Sequence, residues 1–107
     1  MILYGLATCD TCKKALKALQ AAGHSVTFRD IRAAPLTAAE IAALVCEFGD
    51  RIINRNSTTW RGLNVWMKNS DPEAQLAAYP ALMQRPVIWR DGSYTIGWDA
   101  AVQARYL

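Results

Sequence analysis

The sequence predicts an α/β protein, a mixed four-stranded sheet with helices, in the order β-α-β, helical insertion, β-hairpin, C-terminal helix. Three observations predict it. The first 31 residues pass from an apolar run to a helix-forming stretch and then to a two-residue alternation. The middle of the chain carries repeated helix-start signals. Near the end, Asp91-Gly92 lies between two strand-like runs, the strongest short-range hairpin signal.

Taken in order, Met1 to Leu6 reads as a short strand, apolar on both faces as a central strand is. Lys13 to Ala22 is rich in Ala, Leu and Lys, which form helices readily, and Gly23 stops that helix. "HSVTFRDI" then alternates, with Val26 and Phe28 on one side and Thr27 and Arg29 on the other. Strand, helix and strand with tight joints make a crossover and a parallel pair. After Pro35, Thr37 and Glu40 have the spacing of a capping box, and Ile41, Leu44, Val45 and Phe48 share one helical face until Gly49. A second start lies at Ser57, before Thr58 to Leu63. A third lies at "NSDPEAQL", where Ser70 or Asp71 caps and Pro72 occupies the first turn. Past Arg85-Pro86, Val87 to Trp89 and Tyr94 to Ile96 flank "RDGS", and Asp99 caps a last short helix.

A parallel pair extended by an antiparallel hairpin, with helices on its faces, is the thioredoxin-like plan. One domain over residues 1–107 is expected, with a helical insertion at about 36–84, because a chain of 107 residues that is 52% apolar leaves little room for a second core. The net charge of +3 is small and its basic residues are scattered, which points to a local anion site and away from direct nucleic-acid binding. The apolar start has no basic lead-in and is too short for a signal-peptide core. No run approaches the length of a membrane helix, so no membrane partner and a cytoplasmic location are expected. An odd number of cysteines, three, argues against a disulfide framework and leaves thiol chemistry or metal.

The stretch "YGLATCDTCKKAL" narrows that choice. The plan puts Cys9 at the carboxyl end of the first strand and the mouth of the first helix, where free backbone N–H groups and the positive end of the helix dipole favour a thiolate. Cys12 lies one turn in, on the face of Ala15, Leu16 and Leu19 that must cover the sheet. An exposed thiolate with a shielded thiol beside it suits thiol-disulfide exchange. Zinc needs about four ligands. Beyond this pair the sequence offers only Cys46 and His24, without knuckle spacing, so no metal is expected. Cys46, among Ala39 and Ala42, is expected to be structural, and His24 a surface turn residue. Lys14 and Lys17 belong to a solvated face, whereas Lys13 can reach the mouth. The four tryptophans are expected mostly in the core, with Trp60 left open because it adjoins Arg61.

Together "YGLATCDTCKKAL", "NRNSTTWRGL", "RPVIW" and "IGWD" resemble the arsenate reductase (ArsC)/Spx family, and particularly its short YffB-type members. The resemblance runs over essentially the whole chain and implies the same thioredoxin-like fold with a helical insertion. It implies that Cys9 is the attacking cysteine, that Arg85 precedes a cis-proline, Pro86, and that Arg61 belongs to an anion-binding middle motif. Lys13 and Trp98 stand about where arsenate-reducing members carry arginines, and neither a lysine point charge nor an indole reproduces an arginine fork. A glutathione-dependent thiol-disulfide reductase is therefore the expected function, with Cys9 and Cys12 catalytic. Lys13, Arg61, Arg85 and Pro86 would line the substrate and anion site, glutathione would be the co-substrate, and small thiols or disulfides the partners. The alternative within the family is an Spx-type redox regulator that binds the RNA polymerase α subunit and uses C-x-x-C as its switch.

Overall fold

In the computed structural model, which describes residues 1–107, four short strands form one mixed sheet. They are β1 (Ile2–Gly5), β2 (Thr27–Asp30), β3 (Val87–Arg90) and β4 (Ser93–Ile96), in the order β2-β1-β3-β4. β1 runs parallel to β2 and antiparallel to β3, and β3 and β4 form the hairpin. The hairpin follows from its turn: Asp91 and Gly92 have φ of 51° and 83°, the left-handed pair that a tight two-residue connection requires. This is the α/β, thioredoxin-like plan read from the sequence.

The chain divides into two units, one formed by Met1–Ala34 with Arg85–Leu107 and the other by Pro35–Gln84. The first holds the sheet, α1 (Asp10–Ala21) and the C-terminal helix, which is α6 (Ala100–Tyr106) once the helices of the second unit are numbered. Its core is Leu3, Cys12, Ala15, Leu19, Ile88 and Tyr106, with Phe28, Trp98 and Val102 packed against it. Asp99 caps α6 by accepting from Val102 N at 3.0 Å. At the far end of that helix the Tyr106 hydroxyl shares a buried 2.8 Å hydrogen bond with Thr95, and His24 donates through Nε2 to the Tyr106 carbonyl at 2.6 Å. His24 is thus a half-buried clamp between the end of α1 and the end of α6, and not the surface turn residue expected; a lone histidine after a stop glycine carries no mark of a partner 82 residues away.

The second unit contains α2 (Ala38–Phe48), α3 (Thr58–Arg61), α4 (Val65–Lys68) and α5 (Pro72–Ala78), with short 3-10 turns at Gly49–Ile52 and Pro80–Leu82. The Thr37/Glu40 capping box forms in both directions, at 3.1 Å and 2.9 Å. Ser57 and Asp71 cap α3 and α5, and Pro72 stands in the first turn of α5. α2 packs on α5, burying Ile41, Leu44 and Leu76 beside Ile52, Leu82 and Met83. Gln75, 1% exposed, holds the α4–α5 corner by donating from its amide to the carbonyls of Met67, Lys68 and Ser70.

Four further details depart from the sequence reading. α3 ends at Arg61 and not at Leu63, and the Asn64-capped α4 was not foreseen because its single turn shows no periodicity. Trp66 is 83% exposed and lines, with Leu63, Met67 and Tyr79, a groove of about 370 Å³, so it is no core residue. Cys46 is exposed and not packed as a small hydrophobe. No helix is long and apolar enough to cross a membrane.

Candidate active site

β1 ends at Gly5, and the chain turns through Leu6, Ala7 and Thr8 into α1. The turn closes with Cys9 N donating to Leu6 O at 3.0 Å, and Cys9 becomes the N-cap of α1 in an extended conformation, φ −86° and ψ 118°. A cysteine side chain at that position faces the unsatisfied N–H groups of the first turn. Its thiol feels opposing effects. Burial pushes its pKa up, but the Cys12 backbone N–H, the Arg85 guanidinium and the Cys12 thiol lie where they favour the charged sulfur, and the Arg85 charge adds to them. The donors win, and the Cys9 thiol is held below its ordinary value.

Cys12 has the opposite environment. Its sulfur is fully buried between α1 and the strand end, where a Cβ on Gly5 would lie 2.5 Å from it, so only glycine leaves room for this sulfur. Burial, which outweighs the Leu6 backbone N–H that it accepts, together with the neighbouring Cys9 sulfur, pushes its pKa up to about 11. One cysteine of the pair is poised to ionise and the other to stay protonated and donate. This division has a consequence for stability. An unfolded thiol loses its proton near 9.0 and folded Cys12 near 11, so between those values the unfolded chain binds fewer protons and stability falls as pH rises. Urea denaturation from pH 8 to pH 11 is expected to show wild type losing stability relative to Cys12→Ala over that window; parallel curves would contradict the burial of this thiol.

Arg85 leads into β3, and its bond to Pro86 is cis, as expected. Pro86 is fully buried and its carbonyl accepts from Gly97 N at 2.9 Å, which ties the strand entry to the end of the hairpin. The structure thus gathers Cys9, Cys12, Arg85 and Pro86 in the first unit. Lys13 lies exposed in the first turns of α1. Trp98 is packed against the core, so its ring serves burial. Arg61 belongs to the second unit, where its guanidinium donates to Asn56 O at 3.0 Å, and neighbouring Trp60 is covered by Arg55 with 5.5 Å from Cζ to the ring centroid. No three His, Cys, Asp or Glu side chains converge as a metal-ligand set. Replacement of Arg85 by Ala is expected to raise the Cys9 pKa and slow its alkylation at pH 7 by about three- to tenfold, with little change in melting temperature. An unaltered alkylation profile would remove Arg85 from the site.

Fold and thiol geometry define a thioredoxin-like protein with a helix-capping cysteine. The model of the ArsC family matches residues 4–105, and the chain belongs to that family. An uncharacterized protein of Haemophilus influenzae is 38% identical over 104 residues, covering 91% of this chain and 90% of its own. The global transcriptional regulator Spx 1 of Bacillus cereus is 29% identical, covering 98% and 85%. Among solved structures, a YFFB protein superposes with a TM-score of 0.89 at 30% identity, covering 99% of this chain and 97% of its own. A protein of Brucella melitensis described as related to arsenate reductase gives a TM-score of 0.78 at 31% identity, covering 98% and 92%.

Proposed function

We propose that this chain is a glutathione-dependent thiol-disulfide reductase in which Cys9 is the nucleophile. The observation that carries the reading is the asymmetry of the pair: Cys9 is lowered by donors from Cys12 and Arg85, while Cys12 is raised and buried. The Cys9 thiolate attacks one sulfur of a disulfide, forming a mixed disulfide, and the other sulfur leaves as a thiolate that takes a proton from water. A glutathione thiolate then attacks the outer sulfur of the mixed disulfide and returns Cys9 as thiolate. Where the substrate is itself a glutathione mixed disulfide, the products are the freed thiol and glutathione disulfide.

Cys12 is a poor attacker, because burial first and the neighbouring Cys9 sulfur second raise its pKa. Formation of the mixed disulfide removes the Cys9 charge but not the burial, so glutathione is the assigned resolving thiol. Lys13 and Arg85 are assigned to the glutathione carboxylates. Arsenate is less well served, since Lys13 offers a point charge and Trp98 is occupied in packing. A glutathione-coupled turnover assay with a small disulfide tests the reading; the absence of turnover at any pH from 6 to 9 would sink it. The similarity to an Spx regulator over 98% of the chain favours a second reading, a C-x-x-C redox regulator acting through RNA polymerase. Retention of the polymerase α subunit by the immobilised protein, without disulfide turnover, would select it.

A further inference from the structure

One carboxylate outside the thiol pair is tied to it through the backbone. Asp30 closes β2 opposite Gly5, at the point where the ladder with β1 ends. Its Oδ2 accepts from Ala7 N at 3.0 Å, across the strand end, while Oδ1 accepts from Arg32 N at 2.8 Å and Ala33 N at 3.1 Å in its own turn. Ala7 N belongs to the same planar peptide as the Leu6 carbonyl. That carbonyl accepts from Cys9 N at 3.0 Å, and the Leu6 backbone N–H faces the Cys12 sulfur. The Leu6–Ala7 segment therefore places both sulfurs, and it is held from behind by a side chain 23 residues away.

We propose that Asp30 is a positioning residue for the Cys9/Cys12 pair, fixing the Leu6–Ala7 peptide whose carbonyl orients the Cys9 N-cap. The proposal rests on Cys9 being the reactive thiol. The planar peptide is clamped at both edges: its N–H points to Asp30 and its carbonyl to Cys9, and each bond polarises the other. If the Asp30 clamp is lost, the peptide can rotate, the Cys9 backbone loosens, and its sulfur drifts from the Cys12 N–H that lowers it. The largest effects on the Cys9 thiol come from its burial, from Cys12 and from Arg85, not from the Asp30 charge. The charged side chain that acts on Asp30 is Arg32, and the three backbone donors, Ala7 foremost, hold its carboxyl below the usual aspartate range.

Sign separates positioning from charge. Asp30→Asn keeps an oxygen for Arg32 N and Ala33 N but sets an amide N–H against Ala7 N, so it opens the clamp and spares the turn. A through-space loss of negative charge would lower the Cys9 midpoint, whereas a lost clamp raises it. The experiment is the pH profile of iodoacetamide alkylation, resolved by cysteine with mass spectrometry, for wild type, Asp30→Asn and Thr37→Ala. The last removes a capping box in the other unit and serves as a comparator for general destabilisation. Asp30→Asn is expected to raise the Cys9 midpoint by roughly half a unit to one unit, a threefold to tenfold slower reaction at pH 7, while Thr37→Ala lowers the melting temperature and leaves the profile in place. A Cys9 midpoint that is unchanged or lowered in Asp30→Asn would overturn the proposal. Amide NMR of the unaltered protein through acid titration reads the same relay without a variant. The Ala7, Arg32 and Ala33 amides should shift with one midpoint, and the Cys9 amide with them; a Cys9 amide blind to that titration overturns it equally. Neither readout is turnover, so a protein with a lowered Cys9 but no glutathione activity would refute the reductase reading and leave this proposal standing.

Discussion

Cys9→Ser is expected to bring glutathione-coupled disulfide reduction down to the uncatalysed level while leaving the fold intact. Serine keeps the size and the N-cap geometry, and its hydroxyl is a better cap than a thiol, so α1 should form at least as well. What is lost is the nucleophile. The Cys12 N–H and the Arg85 guanidinium that lower the Cys9 thiol cannot bring a hydroxyl within reach of ionisation at neutral pH. Cys12 cannot substitute, since its sulfur is fully buried and closed to a disulfide in solution. The measurement is turnover of a small disulfide alongside a thermal melt. Activity retained in Cys9→Ser would place the chemistry elsewhere in the molecule.

Gly5→Ala is expected to cost substantial stability, because among the glycines only Gly5 would bring its new Cβ into a clash. Its Cβ would lie 2.5 Å from the Cys12 sulfur, 3.2 Å from the Cys12 Cβ and 3.3 Å from a Leu3 methyl, both residues of the core. Neither β1, hydrogen-bonded on both sides, nor the start of α1, tied by Cys9 N to Leu6 O, can retreat without losing backbone hydrogen bonds. Overpacking of this kind costs about 1–3 kcal/mol, which in a chain of this size lowers the melting temperature by roughly 4–8 °C per kcal/mol. The easiest relief is rotation of the Cys12 thiol toward Cys9, so the variant should also alter the alkylation profile of the pair. Adding Cys12→Ala removes the sulfur and should recover most of the lost stability, a coupling read directly from the double-mutant cycle. Additive losses would mean that Gly5 is needed for some reason other than the sulfur.

Much of this site could be read along the chain because its causes are local. Cys9 lies between an apolar strand and an Ala/Leu/Lys helix, and that succession alone puts it at an N-cap; Cys12 follows by helical spacing. The caps at Thr37, Ser57, Asp71 and Asp99 are equally local, since each side chain bonds an N–H three residues on. What the sequence hid is what depends on tertiary approach. Gly5 reads as one more small strand residue until α1 lies on it. Asp30 reads as the polar end of a strand, and its bond to Ala7 exists only because β1 and β2 pair in parallel with Gly5 opposite Asp30. Trp66 and Cys46 err in the other direction: their side chains are apolar by type, but α4 is a single turn that leaves Val65 and Trp66 63% and 83% exposed, and Cys46 on α2 is exposed as well. Hydropathy reports what a residue prefers, and burial depends on which helix finds a partner.

Of the three free cysteines, Cys9 is expected to be the reactive one. Incubation of the reduced protein with oxidised glutathione at pH 7, quenched in acid at intervals and mapped by peptide mass spectrometry, tests it most directly. Glutathione is expected to appear first on Cys9, faster than on a free cysteine peptide, with Cys12 modified only as the partner in a later Cys9–Cys12 disulfide and Cys46 reacting at the rate of an ordinary exposed thiol. Adducts that accumulate first on Cys46, or on Cys9 no faster than on the free peptide, would contradict it.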